Sequence, residues 1–174
     1  SLKNESIYIT SNYFDYQKRL SENTYATFGS RFDNHSVVGK EESYRTSIAH
    51  KYDNNTKLRA SYGTGFRYPS LYEMYYVYQA DKETTLDNLK AESSKSYDFG
   101  IEKQFPDLNI NMDLSYFNIV YTDALEGWEG NTAGGTYTTA NVNADVKSQG
   151  IELDTNWKFS DLLRFDLNYT YTST

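Results

Sequence analysis

The 174-residue chain has no cysteine, and only two prolines, two methionines and two histidines. Without thiols, neither a disulfide framework nor a thiolate zinc site can form. Long apolar runs are absent as well: no stretch approaches the roughly 20 apolar residues that a helix needs to cross a hydrocarbon core of about 30 Å, and the mean hydropathy is −0.77. Positive charge is in deficit, with 17 Lys+Arg against 24 Asp+Glu and a net charge of −7. A phosphate backbone would be repelled, so no nucleic-acid partner is expected. The opening residues, SLKNESIYIT, lack the basic segment and apolar core of an export signal. What is plentiful is aromatic: 17% of the chain, including 18 Tyr. With the accompanying Thr and Ile, this excludes an acidic disordered tail, which is poor in such residues.

Apolar residues recur at period 2, so the chain reads as all-β. In 108–116, Leu108, Ile110, Met112, Leu114 and Tyr116 alternate with Asn109, Asn111, Asp113 and Ser115. The same alternation places Tyr97, Phe99 and Ile101 against Asp98, Gly100 and Glu102, and Leu58, Ala60 and Tyr62 against Lys57, Arg59 and Ser61. It predicts eight antiparallel strands at 6–16, 24–33, 42–52, 56–66, 94–105, 108–121, 146–158 and 163–173. Tight turns at Asp53–Asn55, Pro106–Asp107 and Ser160–Asp161, and a slightly longer one at Gln17–Asn23, alternate with long connections at 33–41, about 67–93 and about 122–145.

Loops beyond 20 residues are uncommon in a compact soluble domain. Short turns at one end and long loops at the other are the pattern of a transmembrane β-barrel, whose periplasmic turns are tight and whose extracellular loops are elaborated. Segments of about 10 residues, tilted, also span an apolar band of roughly 25 Å, whereas soluble strands usually stop at about 5 or 6. The face opposite the aliphatic one carries Arg59, Asp98, Glu102, Asp113, Glu152, Asp154, Arg164 and Asp166. Periodicity leaves two readings open: these charges face water around an apolar core, or they line a lumen while the aliphatic face meets lipid. Tyr8, Tyr16, Tyr25, Tyr44, Tyr52, Tyr116, Tyr121, Tyr169 and Tyr171 are expected near strand ends, as an interfacial aromatic girdle requires, which favours the membrane.

Residues 61–73, Ser-Tyr-Gly-Thr-Gly-Phe-Arg-Tyr-Pro-Ser-Leu-Tyr-Glu, resemble the signature of TonB-dependent outer-membrane receptors. So do Asn88-Leu89-Lys90-Ala91-Glu92, the following Ser93–Glu102 strand, Tyr116-Phe117, Gly150-Ile151-Glu152-Leu153 and Asn168-Tyr169-Thr170-Tyr171, while Phe28–Asp33 is similar to the family's Gly-x-Arg-Tyr-Asp strand. Ala91 departs from the Pro usual at its position. Within the family, the resemblance is to the vitamin B12 and siderophore receptor branches. It implies that residues 1–174 are part of a larger barrel whose plug domain, TonB-contacting segment and remaining strands lie outside the chain. The implied partners are outer-membrane lipid, a small nutrient ligand, the plug and, through the plug, TonB. Two other functions stay open on the residues alone: a self-contained eight-stranded outer-membrane barrel, structural or adhesive, and a soluble β-barrel binding protein.

No residue pattern supports covalent chemistry, a cofactor or a metal centre, and the chain is not expected to be an enzyme. His35, expected in an outward loop, and His50 lie on different segments with no placeable nucleophile. Asp81, Glu83 and Asp87 match no calcium-loop spacing. Amphipathic aromatics in the long loops, Tyr72, Tyr75, Tyr76, Tyr78, Trp128 and Tyr137, are the ligand-stacking candidates. Arg67 and Glu92 flank the first of those loops and, with the eight charges named above, are candidates to face the lumen and plug.

Overall fold

A computed structural model describes residues 6–75, 89–128, 138–141 and 144–174. Eight strands form one antiparallel sheet: β1 (Ile9–Arg19), β2 (Thr24–His35), β3 (Gly39–Tyr52), β4 (Thr56–Arg67), β5 (Glu92–Phe105), β6 (Ile110–Thr122), β9 (Val146–Lys158) and β10 (Arg164–Ser173). A two-stranded hairpin, β7 (Leu125–Trp128) and β8 (Thr138–Asn141), lies between β6 and β9 in sequence, and a short helix α1 (Leu71–Tyr75) follows β4. Each long strand pairs with its sequence neighbour in the sheet, and β1 and β10 form the two edges. All eight predicted strands are present.

Cross-strand register turns the period-2 pattern into two surfaces. Ile48, Ala60, Phe99, Tyr116, Ile151 and Tyr171 stand side by side across six strands, with His50, Leu58, Ile101, Leu114, Leu153 and Tyr169 in the next row. The alternate residues form the polar face: Lys57, Glu102, Asp113, Asp154 and Asn168 are one such row. A one-residue slip would exchange the faces, so the pattern itself fixes the register.

The aliphatic face is open. Phe99, Leu114, Ile151 and Leu167 are 56%, 44%, 45% and 57% exposed, and the buried apolar side chains among those described are Pro69, Met74, Leu89 and Ala91, all near the long-loop end. Among the described residues no second layer covers this sheet, as a soluble sandwich would require.

Several expectations need correction. The connection after β2 is short, Ser36–Val38, because His35 closes a tight turn instead of joining a long outward loop. Its Nδ1 accepts the Val37 and Val38 N–H groups, each at 3.1 Å, and the following Gly39 takes φ +102°. β1 runs to Arg19, since polar Gln17, Lys18 and Arg19 keep pairing with β2 at the sheet edge. Leu108 belongs to a 3₁₀ turn, Pro106–Leu108, that Asn109 leaves in the left-handed region at φ 52°. The girdle is partial: Tyr25 pairs with Arg19 and Ala49 on the polar face, where the Arg19 guanidinium lies over its ring. Tyr121 shares that face, aligned with Ser94 and Val146, and Tyr116 is mid-strand.

Candidate functional site

On the polar face, the charges at the hairpin end are joined into a network. Glu102 Oε1 accepts from Lys57 Nζ at 2.7 Å and from Arg59 Nη1 at 3.0 Å. The Arg59 guanidinium also holds both oxygens of Asp113, at 2.6 and 2.8 Å. This fork-to-fork geometry is the strong form of an arginine–carboxylate pair. Arg59 is on β4 and Asp113 on β6, so the side chain must cross β5. It does so over Gly100, its register partner; a Cβ there would stand 2.5 Å from Arg59 Cζ. The glycine is therefore a slot for the guanidinium, a role that strand alternation alone does not reveal.

The other charged candidates lie on the same face. Asp98 accepts from the Ser61 hydroxyl. Asp166 accepts from Asn156 and from Arg164, the latter at 3.2 Å. Asp154 sits between Asp113 and Asn168 in register, and Glu152 between Ser115 and Thr170. The structure thus brings all eight sheet charges onto one surface, with Arg59, Glu102 and Asp113 in direct contact.

At the long-loop end, Arg67 and Glu92 do meet, Nη2 to Oε2 at 3.3 Å, and Arg67 Nη1 also binds Glu73 at 3.0 and 3.1 Å. Glu73 completes a capping box at the start of α1. The Ser70 N–H donates to Glu73 Oε2 at 2.7 Å, and the Glu73 N–H donates to Ser70 Oγ at 3.2 Å. Ser70-Leu71-Tyr72-Glu73 is the S-x-x-E signal for this arrangement, legible in sequence as a helix start.

Glu92 Oε2 additionally accepts the Leu125 N–H at 3.1 Å. Asn141 gives Lys90 a strand-like pair of bonds, Oδ1 from Lys90 N–H at 2.8 Å and Nδ2 to Lys90 O at 3.0 Å, and also reaches Asp123 O at 2.7 Å. These contacts tie the β4–β5 connection to the β6–β9 connection. At the β2–β3 turn, His35 is 2% exposed with its ring 4.7 Å from Tyr68, whose hydroxyl donates to Gly39 O at 3.1 Å.

Burial pushes the Glu73 carboxyl up, but the Ser70 N–H, the Ser70 hydroxyl and Arg67 outweigh it and hold the group below its ordinary 4.5. A carboxylate whose folded-state value is depressed contributes stability above the unfolded value and loses it as pH falls through the folded one. Amide exchange of residues 68–75 is therefore expected to accelerate as pH drops below about 4.5, after correction for intrinsic rates, and Glu73→Gln is expected to flatten that dependence. An unchanged profile in the variant would contradict the assignment.

Tyr72 is on α1 and 62% exposed. Tyr75 ends α1 and Trp128 ends β7, while Tyr76, Tyr78 and Tyr137 lie outside the described residues, as do Asp81, Glu83 and Asp87.

Comparison with known proteins places this arrangement. Residues 3–174 match the family model described as TonB dependent receptor-like, beta-barrel. The vitamin B12 transporter BtuB of Vibrio vulnificus is 28% identical over 87% of the chain and 22% of its own length. The ferric enterobactin receptor of Pseudomonas aeruginosa is 27% identical over 87% of the chain and 23% of its own length. Among solved structures, the siderophore receptor PirA from Pseudomonas aeruginosa superposes with a TM-score of 0.83 at 20% identity, over 96% of this chain and 34% of that one. The chain thus spans about a fifth to a third of the relatives it matches.

Proposed function

The chain belongs to the TonB-dependent receptor β-barrel family, and from that premise we propose that it forms part of the barrel wall and outer loops of an outer-membrane receptor that imports a scarce nutrient of the cobalamin or ferric-siderophore kind. The observation that carries this reading is the division of one sheet into an exposed aliphatic surface and a networked ionic one. A bilayer on one side and a wet or plugged lumen on the other would make both favourable, which supports this reading.

In this reading the ten charged candidates, including Arg67 and Glu92, face the lumen and the plug, and the strands provide a rigid frame. The tied long loops present aromatic side chains to the nutrient. The plug and the TonB contact belong to parts of the receptor beyond residues 1–174. The chain's own residues bind and orient, and none performs covalent chemistry.

Uptake of labelled cyanocobalamin and of a panel of ferric siderophores by cells carrying or lacking the receptor tests the proposal. Receptor-dependent accumulation that collapses when the proton-motive force is dissipated is expected for one of these classes. Accumulation that ignores either the receptor or the proton-motive force in every case would contradict it.

A further inference from the structure

The aliphatic face is not uniformly filled. Around Ala60, a recess of about 590 Å³ opens, walled by Ile48, Leu58, Phe99, Ile101 and Tyr116. Ala60 lies at its floor, in register between Ile48 on β3 and Phe99 on β5, where a single methyl group separates two long side chains. Toward the hairpin end the recess is bounded by His50 and Tyr52, whose rings meet edge to face at 4.5 Å. His50 Nδ1 is 2.8 Å from Thr24 Oγ1.

One step further along the same face stands a cation. Tyr52 pairs with Thr56, and Thr56 with Lys103, two residues beyond Ile101 on β5. Lys103 Nζ contacts Asn54 O at 2.6 Å and Thr56 Oγ1 at 2.9 Å. The same Nζ lies 5.7 Å from the centre of the Phe105 ring; an ammonium has three donors, so the two oxygen contacts hold the group in place and leave one N–H that an anion can take from the distant ring. An apolar trough, then two amphipathic rings, then an anchored positive charge follow the order of a lipid's own parts: acyl chain, interfacial glycerol region and phosphate.

We propose that this recess seats one acyl chain of a glycerophospholipid whose phosphate is bound by Lys103, making it a site for a retained lipid rather than a stretch of featureless bilayer contact. The proposal rests on the reading that this face meets the membrane. Charge complementarity at Lys103 and continuity with the exposed aliphatic surface select this occupant over a protein partner.

Native mass spectrometry of the intact receptor in detergent, after delipidation and titration with phosphatidylglycerol, tests the site. One tightly retained phosphatidylglycerol is expected. Ala60→Phe, which puts a ring into the floor of the trough and displaces part of an acyl chain, is expected to weaken retention about ten-fold or more, given the roughly 0.8 kcal/mol contributed by each buried methylene. Lys103→Gln is expected to weaken it about five-fold, in line with roughly 1 kcal/mol for one lysine near an anionic surface. Equal retention by both variants, or equal retention of a phosphate-free diacylglycerol, would overturn the site.

A tryptophan introduced at Leu167, on the same face but outside the recess, separates the two readings. Quenching by brominated acyl chains alongside unchanged lipid retention in the variants would defeat the lipid site and leave the membrane face standing. No quenching would defeat both.

Discussion

Leu114→Arg is expected to destabilise the barrel in a bilayer by about 2 to 4 kcal/mol, the cost of a guanidinium on the lipid face near the mid-plane. Leu114 is central on β6, flanked in register by Ile101 and Leu153 and 44% exposed, so no neighbouring side chain encloses the new charge. Its sequence neighbour Asp113 points the other way, into the Arg59 fork. Asp113→Leu therefore tests the opposite face: it removes half of an ion pair but introduces no charge into oil. Reversible unfolding of the receptor from lipid vesicles in denaturant measures both. A cost for Leu114→Arg below about 0.5 kcal/mol, the range of an ordinary surface substitution, would mean that this face does not meet lipid.

The second large effect is expected at Arg59. Arg59→Met is expected to cost about 1 to 3 kcal/mol, because it leaves Asp113 and Glu102 facing each other across strands without their shared cation. The three side chains are about a third exposed, which puts the cost below that of a fully buried pair. Combining Arg59→Met with Asp113→Leu is expected to recover part of the loss, as replacing both partners of an ion pair does. Gly100→Val should imitate Arg59→Met by displacing the guanidinium from its slot, without touching a charge. Purely additive effects of Arg59→Met and Asp113→Leu in the same unfolding assay would contradict a direct pair.

Gly100 shows why the fold was more legible than the site. A period-2 pattern assigns Arg59, Glu102 and Asp113 to one surface and thereby yields strands, faces and register. Which charges touch depends on side-chain reach across a third strand, and the sequence reports that only as a glycine inside a strand. The same limit hid the β7–β8 hairpin, since Leu125–Trp128 and Thr138–Asn141 are four residues each, too short to establish alternation. Asn141's pairing with Lys90 links residues far apart in sequence and leaves no local signal at all. The helix start is a different case: Ser70 and Glu73 declare it through the capping box, but it lies in a segment where a long loop is the simplest reading. At His35, the turn is closed by an imidazole accepting two N–H groups, and no Asn-Gly or Asp-Gly pair marks it.

The most direct measurement is cysteine labelling along β6 in native outer membranes, each variant compared with the receptor lacking the introduced cysteine; residues 1–174 contribute none of their own. Single cysteines at 111, 113 and 115 are expected to react with a small water-soluble maleimide that enters the lumen, while those at 112, 114 and 116 stay protected until the bilayer is dissolved. Labelling that follows the reverse alternation, or that shows no alternation across these six positions, would contradict the assignment of the aliphatic face to lipid and of the ionic face to the lumen.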